Sequence, residues 1–357
     1  MIYIILCHYL FFSIHIKLLR GTKLLTSKVK AIIITAIIAI ASSGVILGVI
    51  FLQNLVSPSI RFGALSGDLH HLPLFVALEN DYFAEEGLDV SSENIVWFPN
   101  GNEVMVAFEA GALDVSYLGL APAMAHKLTL NASIRIISGV NVNGSAIIVK
   151  EGSGINTILD LLNKKIAVPS LNNMQDFILQ IALTQVGLST ENVSRLVLSV
   201  GNMENSLESN QIDAFVAWEP FNAKATNIGG KYLSKSSEIW LNHPCCIIAA
   251  SLSFLKNNPT KAQKIVRVHK RALEWMVNTS NHADLINVAK KYTGIISNSI
   301  IETALVNIGY VYNYTAFQLE IERFYDDLTN FNSNIPAWSS GRDAFFQEFF
   351  EDSYLNA

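Results

Sequence analysis

The sequence predicts an α/β fold, its sheets covered by helices on both faces, behind an apolar N-terminal segment. Three observations carry that expectation. From Ile60 onward, short runs of β-branched and aromatic residues alternate with stretches of helical periodicity. Glycines close several of the helical stretches, at Gly87, Gly111 and Gly187. The chain has 357 residues, 50% of them hydrophobic and only 15% charged, where soluble domains carry roughly 25% charged residues. Much of the apolar excess lies before residue 57, and the remainder is ample for a sizeable core.

The N-terminal segment comes first. Residues 31–52 hold no charged side chain and are mostly Ile, Val, Ala and Leu. A run of roughly twenty such residues crosses a bilayer core as a helix. Lys17, Arg20, Lys23, Lys28 and Lys30 precede it with no acid among them. That flank stays inside, so the chain beyond Val56 is expected outside the cytoplasm. Residues 1–57 therefore read as a basic cytoplasmic flank and a single-pass signal anchor in the cell membrane. A cleaved signal peptide is the competing reading.

Residues 60–65 read as a short buried strand. Phe75, Leu78 and Tyr82 mark one face of a helix that stops at Gly87. Residues 89–98 alternate as a strand, 102–110 form a helix, and 114–118 form the next strand. Pro122 suits the first turn of a following helix. Residues 134–139 and 146–150 are strands on either side of a turn at 141–144. A second series follows, with strand 165–168, helix 173–186, and strands 195–199 and 213–218. Beyond Pro259 the chain turns helical. Ala262, Ile265, Val266, His269, Leu273 and Met276 share one face there, which makes His269 a packed histidine. Phe317, Ile321, Phe324 and Leu328 repeat that spacing.

A net charge of -5 leaves no electrostatic footprint for nucleic acid. The 3 cysteines are too few for a disulfide framework. Cys7 lies in the N-terminal apolar stretch, so Cys245 and Cys246 remain, side by side. Two readings stand for that pair: a strained vicinal disulfide, or two buried reduced thiols on a strand. Strand alternation points adjacent side chains to opposite faces. No metal site is therefore expected from His243, Cys245 and Cys246, and no cofactor.

Four segments bear on a family. They are "FGALSGDLHHLPLFVALENDYFAEEGLDV" (62–90), "GNEVMVAFEAGALDVSYLGLAPA" (101–123), "IDAFVAWEPF" (212–221) and, more weakly, "LLNKKIAVP" (161–169). In this order they resemble the solute-binding proteins of nitrate, sulfonate and taurine ABC importers, a group that shares a domain with the yeast thiamine-pyrimidine synthase. Asn163 stands where that group usually has Gly. The resemblance runs from about residue 60 to 293 and implies a type II periplasmic-binding fold, two α/β lobes around a cleft. Lobe one would hold residues 58–140 and 244–357, and lobe two 141–243.

Ligands in such folds sit beyond the carboxyl ends of strands, where helix N-termini offer free N–H groups and partial positive charge. Three loops would face that space. The first holds Ser66, Gly67, Asp68 and His70, the second Gly119 and Leu120, and the third Ser170, Asn172, Asn173 and Gln175. Trp218 and Glu219 end a strand at the same edge, and His243 precedes Pro244 at the return crossing. These are the candidate ligand-binding residues. No catalytic residue and no metal ligand is expected. Asn173 and Asp176 read as a helix cap, which leaves Asp176 either structural or ligand-facing. Truncating Trp218 is expected to weaken binding with little loss of stability. Protonating His70 near its ordinary value of about 6.5 would strengthen the hold on an anion. The loops carry Asp68, Asp176 and Glu219 but no Arg or Lys, so a neutral heterocycle fits the charge pattern equally well.

The resemblance implies an extracytoplasmic binding component that captures a sulfonate, nitrate-like anion or related small solute. Hinge closure would then present it to a permease and its ATPase. The alternative is an enzyme on the same fold, of the thiamine-pyrimidine or menaquinone-pathway type. The export signal and the lack of a nucleophile–base cluster in the cleft loops argue against it.

Overall fold

The computed structural model describes residues 59–331 and 334–356. The anchor expected at residues 31–52 lies outside them. Among the described residues, no helix is long and apolar enough to cross a membrane.

The chain first lays down β1 (Phe62–Leu65), β2 (Ile95–Phe98), β3 (Val115–Gly119) and β4 (Ile134–Asn143). It then builds a separate sheet from β5 (Ser145–Lys150), β6 (Lys165–Val168), β7 (Ser194–Val197), β8 (Ala214–Trp218) and β9 (Gly230–Lys235). Finally it returns to the first sheet with β10 (Pro244–Ser251) and β11 (Ile308–Tyr310). The orders are β11-β4-β10-β3-β1-β2 and β7-β6-β8-β5-β9. In each sheet the strands joined by crossover helices pair in parallel, β1 with β2 and β3, β6 with β7 and β8. Strands at the two crossings, β10 and β5, pair antiparallel with their neighbours. β4, β5, β8 and β10 are buried along nearly their whole length. That is why β5, β8 and β10 read as nearly continuous apolar runs rather than alternating ones.

Most expected elements are present, with three differences. The strand expected at 89–98 begins only at Ile95, because Ser91 donates its N–H to Asn94 Oδ1 at 2.8 Å and closes a turn ahead of it. The helix expected to run to Gly87 breaks into Leu72–Glu79 and Tyr82–Glu85. Asp81 sits between them in a left-handed conformation, φ 56°. β9 and β11 were not foreseen, since Gly230–Lys235 is polar and Ile308–Tyr310 is only 3 residues long. His269 is packed as expected, fully buried, with its Nδ1 2.9 Å from Tyr117 Oη. Asp176 is structural. Its backbone N–H is capped by Asn173 Oδ1 at 2.9 Å, and its buried carboxylate takes Arg195 Nη1 at 2.8 and 3.0 Å.

Candidate functional site

The two sheets meet with their strand ends facing a cavity of about 20 Å³. From the first sheet, β1 ends at Leu65 and the chain turns through Gly67, whose φ is 66°. Asp68 then caps a short turn, Leu69–His71, with its Oδ1 accepting the His70 N–H at 2.8 Å. This turn swings His70 into the interior, where its Nε2 lies 3.0 Å from the Gly144 carbonyl. Gly101, Gly119 and Pro122 bring two helix starts to the same wall. A methyl on Gly101 would sit 2.6 Å from Pro122 Cγ, so glycine is what allows the helices to close up. From the second sheet come Asn173, Met174 and Gln175, at the start of the helix Met174–Gln185, and Trp218, at the end of β8. Cys245 and Cys246 complete the lining from the start of β10.

Six of the expected residues therefore converge: Asp68, His70, Gly119, Asn173, Gln175 and Trp218. The others lie elsewhere. Ser66 is exposed, and Gly67 half-buried on the rim. Leu120 is fully buried in the core beneath the cavity. Ser170 is an interlobe contact, its Oγ accepting from Asn102 Nδ2 at 3.3 Å. Asn172 is left-handed, φ 62°, and donates its N–H to Asp176 Oδ2. Glu219 is buried beside the cavity, and His243 lies behind it with its ring 5.9 Å from that of Trp240.

Glu219 ties the lobes together. Its carbonyl accepts from Leu69 N–H at 3.2 Å, and its Oε1 accepts from Tyr232 Oη at 2.9 Å and Asn307 Nδ2 at 2.8 Å. Burial raises its carboxyl to about 7, against the pull of the bonds from Ala223, Asn307 and Tyr232. A raised acid contributes stability that is present below its ordinary 4.5 and is lost as pH rises through about 7. Burial likewise raises Asp68 to about 7, opposed by the His70 charge and N–H bond, so both act with the same sign. These two acids should therefore withdraw stability between pH 5 and 7. The buried His71, His243 and His269, whose values are lowered, act with the opposite sign. Glu219→Gln should shift the balance toward higher stability as pH rises. Thermal melts of both proteins across this range check it, and parallel profiles would contradict it.

Two expectations are corrected here. Adjacent cysteines were expected on opposite faces of a strand. Instead a register shift at Cys246 places both sulfurs near His70 Nδ1, Cys245 at 3.5 Å and Cys246 at 3.7 Å. The cleft was also expected to lack a nucleophile beside a base, and Cys245 with His70 has that arrangement. Burial disfavours a charge on His70, but the Cys245 sulfur and Asp68 outweigh it and raise the ring to about 9. That direction moves the binding change expected near 6.5 to higher pH. Leu65, Gly101, Pro122, Met174, Cys245 and Cys246 are the lining residues that the sequence reading missed. Of these only the Pro244–Cys245 step carried a usable signal, because a proline at a strand start accompanies irregular pairing.

Residues 57–290 match the family described as the NMT1-like family. The nitrate/nitrite-binding protein NrtA of Nostoc sp. is 24% identical over 262 residues, 67% of this chain and 59% of that protein. The chain thus spans about three fifths of that relative's length. Among solved structures, the periplasmic nitrate-binding protein NrtA of Synechocystis superposes with a TM-score of 0.73 at 15% identity, over 84% of this chain and 88% of that one. The alkanesulfonate-binding protein SsuA of Xanthomonas axonopodis pv. citri gives 0.68 at 17% identity, over 78% and 95%. These likenesses show the fold, the two-sheet α/β architecture of periplasmic binding proteins.

Proposed function

The chain belongs to the NMT1-like family, and from that premise we propose that it is the solute-binding component of an ABC importer. The observation that carries this reading is the cavity between the sheets, lined from both sides by strand ends and helix starts. Such a site captures a small solute when the lobes close and releases it when they part. Asp68, His70, Gly119, Asn173, Gln175 and Trp218 would contact the solute. Ser170, Glu219 and Asn307 would hold the closed form. The partners are a permease and its ATPase, with the binding domain outside the cytoplasm and tethered by a helix within residues 31–52.

A cavity of about 20 Å³ admits about one or two water-sized groups, so a ligand of more than a few heavy atoms requires the lobes to part further. A nitrate-like anion fits this limit better than a long sulfonate. None of the lining residues is Arg or Lys. The N–H groups at the start of the helix Met174–Gln185, the Gln175 amide and Trp218 Nε1 are the donors at hand. Cells lacking the chain should lose growth on low nitrate as nitrogen source, or on low ethanesulfonate as sulfur source. Unimpaired growth on both would contradict the reading.

A further inference from the structure

In β10, Pro244 pairs with Val142 and Cys246 with Asn141. Cys245 is thus an extra residue set into the strand, and such a bulge turns consecutive side chains toward one side. The two sulfurs lie 3.9 Å apart, at 3.5 and 3.7 Å from His70 Nδ1. All three residues are buried, and all three line the cavity. We propose that His70 Nδ1 and the sulfurs of Cys245 and Cys246 form a binding site for a thiophilic divalent cation of the Zn²⁺ type, with its fourth position open to the cleft.

Geometry is the first support. A tetrahedral ion with metal–sulfur bonds of about 2.3 Å and metal–nitrogen bonds of about 2.05 Å sets sulfur–sulfur edges at about 3.8 Å and sulfur–nitrogen edges at about 3.6 Å. The observed edges of 3.9, 3.5 and 3.7 Å all agree to within about 0.2 Å. The ring's other nitrogen is the second support. Nε2 lies 3.0 Å from the Gly144 carbonyl, and this contact orients the ring with Nδ1 toward the sulfurs. A metal-bound histidine is typically oriented by an outer carbonyl in this way.

Three protein donors and an open corner describe a site that presents a metal to something else. Asp68 Oδ1, 3.6 Å from His70 Nδ1, and an arriving solute would compete for that corner. The ion would also add positive charge to a lining that holds no Arg or Lys, a role that rests on the solute-binding reading above.

The test uses the purified full-length chain, reduced with a phosphine, and titrates it with Co²⁺ as the probe. Saturation at one equivalent is expected, with thiolate-to-cobalt charge-transfer absorption in the near ultraviolet that Zn²⁺ abolishes. Cys245→Ser and Cys246→Ser should each weaken binding by at least about a hundredfold, more than losing an outer partner does. Cys7→Ser should leave the spectrum unchanged. A wild-type chain that shows no charge-transfer band overturns the proposal, and this spectrum decides even where a variant fails to fold. Full retention of the band in both Cys245→Ser and Cys246→Ser overturns it as well. Nitrate titration of the chelator-treated chain is a separate arm. Binding there upholds the transport reading whether or not the metal site fails.

Discussion

Gly144→Ala is expected to destabilise the chain by about 4 kcal/mol, the sum of a strained backbone and a displaced buried histidine. Gly144 joins β4 to β5 at the first crossing between the sheets, with a φ of 87° that side chains rarely adopt. An added methyl would lie 2.2 Å from His70 Nε2 and 3.0 Å from Ile308 Cγ1. Neither neighbour has room to retreat, since His70 is buried under the cavity wall and Ile308 is part of β11. The ring must swing away and leave the Gly144 carbonyl without its partner. Urea unfolding at constant pH measures the loss. A change below about 1 kcal/mol would mean that the crossing adapts and does not fix His70.

Trp218 separates two roles that the sequence reading merged. As a cleft-edge residue it was expected to lose ligand contacts on truncation and little else. In the structure it is only 3% exposed, and its ring meets that of Phe221 edge-on, with centroids 6.0 Å apart. Trp218→Ala should therefore cost about 3–5 kcal/mol of stability, as large-to-small changes in cores do. Its Nε1 has no hydrogen-bond partner among the described residues, while the residue lines the cavity. Trp218→Phe keeps most of the packing and removes only the donor. Its stability should stay within about 1.5 kcal/mol of wild type, while ligand affinity falls roughly tenfold, the worth of one hydrogen bond to a charged group. Equal affinity in wild type and Trp218→Phe would make Trp218 a packing residue alone.

The sheets were legible because their central strands are short apolar runs between turn residues, and that pattern survives without knowledge of the pairing. β9 was not, because Gly230–Lys235 owes its strand form to hydrogen bonds with β5 rather than to its own side chains. Asp68 and His70 were legible as loop residues beside a helix start, but their burial was not. That burial arises from the second sheet, through contacts such as Leu69 N–H to the Glu219 carbonyl. The cysteines show the limit most clearly. Alternation is a sound rule for a regular strand, and the bulge at Cys246 depends on where Pro244 and Asn141 fall in the paired register. No single strand reveals its partner's register.

The cavity is expected to hold a solute and return it unaltered, although Cys245 and His70 stand as a thiol and a base. Calorimetric titration of the purified chain with nitrate and with ethanesulfonate, followed by recovery and mass analysis of the solute, tests this most directly. Saturable one-to-one binding of at least one of the two is expected, weakened in Trp218→Phe, with all of the solute recovered intact. Conversion of the solute to a product, or a failure of both to bind, would contradict it.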